Sequence, residues 1–110
     1  MESRDLRELV EFSDEGPTHR ELFETDRLWS EILCLDRTQQ HGPISDPVTD
    51  AVFTVVAGEV VIQVDRRRKR IDQWSSVLVP AGALVTVTNA SVDPAVVLIV
   101  TAPPPARSGS

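Results

Sequence analysis

Short runs rich in Val, Ile and Thr alternate along the chain with clusters of Gly, Pro, Asn and Asp, and after Asp26 no segment keeps apolar residues at helical spacing for three turns. The pattern predicts an all-β chain. Strands are expected near residues 8–12, 18–24, 27–36, 51–57, 59–65, 69–72, 76–79, 84–89 and 95–101. The first has an alternative, because Leu6, Leu9 and Val10 would share one face of a short helical turn. Val52-Phe53-Thr54-Val55-Val56 and Ala95-Val96-Val97-Leu98-Ile99-Val100 are apolar on both sides of the pleat. Strands of that kind are covered on both faces, by a second sheet or a partner subunit.

At 110 residues the chain fits one domain and has no room for a second core. It divides into N-terminal strands or an arm over residues 1–26, packing on the barrel or a partner, a β-barrel over 27–102, and a flexible Pro-rich tail over 103–110. No run approaches the roughly 20 apolar residues of a membrane span, and the charged start has no apolar segment behind it, so the expected location is the cytoplasm. A lone cysteine, Cys34, lies in the apolar run Ile32-Leu33-Cys34-Leu35 and is expected to be a small buried hydrophobe.

A formal charge of −6 argues against nucleic acid or an anionic membrane as a general partner. The charge is uneven. Acidic residues dominate 1–36, while Arg66-Arg67-Arg68-Lys69-Arg70 forms a basic run. Between Val60-Val61-Ile62-Gln63-Val64 and Ile71, that run is expected at the tip and return strand of a solvated hairpin. It could also meet the acidic N-terminal segment of a second copy, making a homodimer. Trp29 and Trp74 are expected in the core or at an interface.

The order of motifs from Leu35 onward resembles the cupin superfamily. Asp50-Ala51-Val52-Phe53-Thr54-Val55-Val56-Ala57-Gly58-Glu59-Val60 is similar to the strand and glycine turn that end the first cupin motif. Pro80-Ala81-Gly82 followed by Val85 and Asn89 is similar to the second, with Val85 where a histidine belongs. The strand ending in Thr101-Ala102-Pro103-Pro104 looks like the closing strand of short cupins, so the likeness spans roughly 27–105. It implies a double-stranded β-helix, the jelly-roll barrel.

The resemblance also implies a metal held by two histidines one residue apart, a glutamate and a distant histidine. The glutamate position, seven residues before Gly58, is Ala51. The paired histidine positions fall on Ile44 and Asp46, or in the other spacing on Ser45 and Pro47, and the last is Val85. Only Asp46 keeps a donor, so neither a metal nor another cofactor is expected. His41, Asp46 and Asp50 are the candidates for a displaced metal or for acid–base work, with His41 read more simply as a loop histidine among turn residues. His19 reads as a surface or edge residue.

Ile44, Ala51 and Val85 would make the former metal centre apolar, with Asp46 beside them and Phe53, Val55 and Val87 sharing the inward face. Such an interior either packs solid, which is the simpler expectation, or holds a small apolar or weakly acidic ligand. The function expected is a metal-free, homodimeric cupin acting as a small-molecule-binding or accessory module. The alternatives are a cupin oxygenase or isomerase with the displaced site, and a regulatory domain holding an anionic partner on the basic hairpin.

Overall fold

The structure, a computed structural model, describes residues 1–105. Among these, one 3-10 turn (Leu6–Glu8) precedes β1 (Thr18–Glu24), β2 (Trp29–Leu35), β3 (Gln40–Ile44), β4 (Asp50–Ala57), β5 (Glu59–Val64), β6 (Arg67–Asp72), β7 (Ser76–Val79), β8 (Val85–Thr88) and β9 (Ala95–Ala102). All neighbouring strands run antiparallel, in a five-stranded sheet ordered β1-β2-β9-β4-β7 and a four-stranded sheet ordered β3-β8-β5-β6. The chain is all-β, as its pattern of short apolar runs and turns predicts, and a jelly roll, as the resemblance implies.

Inward residues of both sheets form the main core, with Leu33, Leu35, Val55, Val60, Val87 and Val97 wholly buried. The doubly apolar runs have a physical reason in a second cluster. Ile32, Cys34 and Val96 point to the outer face of the five-stranded sheet, where Leu6, Leu9, Val10 and Phe12 cover them. Cys34 is accordingly a fully buried thiol. That cover ends before β7: Val52 and Leu78, cross-strand partners on this face, are 39% and 65% exposed.

Two strand expectations are corrected. Residues 8–12 form no strand. The turn at Leu6–Glu8, with the Asp5 side chain accepting from the Arg7 amide at its start, satisfies the backbone locally and turns Leu6, Leu9 and Val10 onto the sheet. Conversely β3 carries Gly42 and Pro43, which look like loop residues. At a sheet edge a proline forfeits no ladder bond, and Gly42, at φ +96°, lies against β8 where a Cβ would come within 2.6 Å of the Val85 carbonyl. The pairing slips by one residue between His41–Val87 and Ile44–Val85, so β3 is a bulged edge strand.

The basic run occupies the β5–β6 hairpin, exposed from Arg66 to Arg70, with Ile71 turned into the core and Arg70 paired to Glu59 at 3.1 Å. Trp74 is not a core residue. It lies at 76% exposure in the turn after β6, with a left-handed backbone. Asn89 of the second motif is wholly buried, donating to the carbonyls of Leu35 and Asp93 and accepting from the Ser91 amide. It closes one end of the barrel by filling backbone groups that would otherwise be buried unpaired. Residues 106–110, most of the expected flexible tail, lie outside the described residues. No helix among the described residues is long and apolar enough to cross a membrane.

Candidate functional site

The other end of the barrel is open. A cavity of about 320 Å³ lies between the sheets, and the inward faces of β2, β4 and β8 lead into it. On β4 that face runs Ala51, Phe53, Val55; on β8, Val85 and Val87; on β2, Trp29, Glu31, Leu33, Leu35. In each strand the residues nearer the mouth line the cavity and those deeper fill the core.

The wall on one side is a loop clipped to a turn. Three hydrogen bonds tie residues 45–50 to Pro80-Ala81-Gly82: Gly82 N donates to the Asp46 carbonyl at 2.8 Å, the Ser45 hydroxyl to the Gly82 carbonyl at 3.3 Å, and Ala81 N to Asp50 Oδ1 at 2.8 Å. Asp46 Oδ1 accepts from the Val48 amide at 2.9 Å. The motif proline and glycine thus build a wall, with Gly82 at φ +87°.

Another part of the lining is polar. β1 and β3 are edge strands of the two sheets, and their histidines meet across the seam. The rings of His19 and His41 lie 4.8 Å apart between centroids at 60°. His19 Nδ1 is 3.1 Å from Glu31 Oε1, and Glu31 also accepts a hydrogen bond from Trp29. Burial alone would raise the Glu31 pKa, but the hydrogen bond and charge of His19, with Trp29 and His41 adding to them, hold it below the ordinary carboxylate value. Burial, reinforced by His19 and only partly opposed by Glu31, lowers the His41 pKa, so this imidazole is neutral at neutral pH.

The expected residues are therefore divided. Ile44, Asp46, Ala51, Phe53 and Val85 converge on the cavity, whereas Val55 and Val87 lie deeper, wholly buried in the packed core. The interior is not solid throughout, because Ala51 and Val85 are too short to fill the mouth. His41 is a strand residue facing the cavity, not a loop histidine, and His19 is part of the same wall. Asp50 is turned away onto Ala81 N and does not line the cavity, so His41, Asp46 and Asp50 do not come together. Among the described residues no group of three or more His, Cys, Asp or Glu could hold a metal ion.

Sequence reasoning missed Glu31 and Thr49 and left Trp29 as general packing. Glu31 carried a signal: in β2 it shares the inward period of Leu33 and Leu35, where a carboxylate needs partners. Thr49 carried none. It is 6% exposed at the cavity wall, and its hydroxyl is buried without a hydrogen-bond partner.

No protein-family model and no curated protein matches this chain. Among solved structures, it is similar to the TT1209 protein of Thermus thermophilus, with 30% identity, a TM-score of 0.90, and coverage of 94% of this chain and 98% of that one. An RmlC-like cupin of Desulfovibrio desulfuricans superposes at TM-score 0.84, with 20% identity over 94% of this chain and 97% of the other. The chain has the cupin fold. A Klebsiella pneumoniae protein with a double-stranded β-helix domain shares the fold at TM-score 0.86 and 20% identity, over 93% of this chain and 91% of that one. The metal that the fold implies does not suit the residues of this chain. Ile44, Ala51 and Val85 at three of its positions offer no lone pair, and one carboxylate, Asp46, is short of the three or four protein ligands a stable site needs.

Proposed function

We infer that this cupin binds a small, mainly apolar molecule in the open end of its barrel, without a metal, as a homodimeric binding or accessory module. The observation that carries the reading is the convergence of Ile44, Ala51 and Val85, with Phe53, Val79 and Ile99, on one cavity that opens to solvent. Its volume, about 320 Å³, falls near the lower end of the roughly 300–1,000 Å³ typical of small-molecule sites, and apolar walls with a few convergent polar groups are their usual make-up. The dimer is supported by the opposite charges of residues 1–36 and the basic hairpin, and by the uncovered Val52 and Leu78.

The test is a titration of chelator-treated protein with toluene, followed by amide chemical shifts. Saturable shifts at Ala51, Phe53, Val79 and Val85, with little change at Val87 and Asn89, support the reading. An unperturbed cavity at the solubility limit of toluene, or shifts that require an added divalent metal, would overturn it.

A further inference from the structure

The polar wall of the cavity says what the ligand carries besides its apolar body. Glu31 is ionised at neutral pH and already holds His19 Nδ1 and Trp29, so its carboxylate is largely committed. Its contact with Nδ1 leaves Nε2 as the uncommitted nitrogen of His19. His41, packed edge to face on His19, has no hydrogen-bond partner for either ring nitrogen among the described residues, and as a neutral imidazole it offers one donor and one acceptor. Thr49, which lines the same cavity, adds a hydroxyl that is buried without a partner, a desolvated state left uncompensated unless something arrives to pair it. Beneath these groups, Ala51, Phe53 and Val85 present only hydrocarbon.

Resting on the proposed binding cavity, we propose that its polar groups select a hydroxyl-bearing apolar molecule, an alcohol or phenol, whose hydroxyl pairs with His41 and with the unpaired Thr49 hydroxyl. A hydroxyl both donates and accepts, which matches a neutral imidazole and an unpaired threonine. A carboxylate only accepts, and it would bring a second negative charge to the end of the cavity that Glu31 already occupies. An ammonium only donates, and it would lose its hydration in a chamber where the nearby carboxylate is engaged by His19 and Trp29.

Four probes sharing one ring separate these chemistries at pH 7.5: toluene, benzyl alcohol, benzoate and benzylamine, each titrated by amide shifts. Benzyl alcohol is expected to bind about fivefold tighter than toluene, the equivalent of one net hydrogen bond, and about tenfold tighter than benzoate or benzylamine. In His41→Phe, toluene affinity persists while the alcohol's advantage over it disappears. Thr49→Val, nearly the same shape, weakens the alcohol and leaves toluene unchanged. Tighter binding of benzoate or benzylamine than of the alcohol, or an alcohol-to-toluene ratio unaltered in both variants, overturns the selectivity while leaving the cavity reading intact. Failure of toluene and every other probe to bind removes the cavity reading and this one with it.

Discussion

The two ends of the barrel are made from the same strands and differ in what they do with them. Toward one end β4, β8, β2 and β9 contribute Val55, Val87, Leu33 and Val97, all wholly buried, and Asn89 pairs the backbone groups that close it. Toward the other, the same strands contribute Ala51, Val85, Glu31 and Thr101, which border open space. The closed end uses interchangeable hydrocarbon that fills volume, and the open end combines short apolar side chains with titratable and hydroxyl groups. Stability is concentrated at the first and, on the proposed function, recognition at the second, so substitutions should fall into two classes along a single strand.

The sharpest contrast is between filling residues. Leu33→Ala leaves a cavity in the closed core and is expected to cost about 3 kcal/mol in urea unfolding, whereas Ile44→Ala, at a position 48% exposed, should cost about 1 kcal/mol or less. Equal costs would mean that the open end is packed as tightly as the closed one. The turns provide the next contrast. At Gly58, φ +72°, a Cβ would lie 2.5 Å from the Pro94 carbonyl oxygen, so Gly58→Ala adds a clash to left-handed strain and should cost more than about 2 kcal/mol. Gly82 has the strain without the clash, nothing lying within 4 Å of its Cβ position, and Gly82→Ala should cost about 1 kcal/mol.

The smallest effect is the one confined to the open end, and it is read in pH. The folded His41 pKa lies below the ordinary 6.5, so the unfolded chain takes up that proton first and stability declines as pH falls from about 6.5 through the lowered value. Glu31 acts below that window. Its folded pKa lies under the ordinary 4.5, so it contributes stability above that pH, which is lost as pH falls through the folded value. Thermal melts from pH 7.5 to 3.5 should show both declines, and His41→Gln should abolish the upper one while reducing the lower one only slightly. An unchanged upper limb in that variant would place the titrating group elsewhere.

What the sequence discloses follows the range of the interactions involved. β5, β7 and β9 are legible because β-branched runs and Gly or Pro turns act within a few residues of each other. β3 is concealed because Gly42 and Pro43 are tolerated only through its edge position against Val85, a neighbour far along the chain. The loss of metal ligands is legible by position alone, at Ala51 and Val85. The seam of His19 and His41 is not, since it depends on two edge strands from different sheets meeting, and neither is the space at the mouth, which depends on how far apart the sheets hold those short side chains.

The central claim, that a cavity for a small organic molecule stands where the cupin fold would place a metal, is tested most directly by native mass spectrometry of untagged protein purified without chelator. The account predicts a dimer whose chains carry no metal mass and release any bound adduct as a small organic molecule. One iron, manganese, nickel or zinc per chain, retained through buffer exchange and lost in His41→Ala, would contradict it.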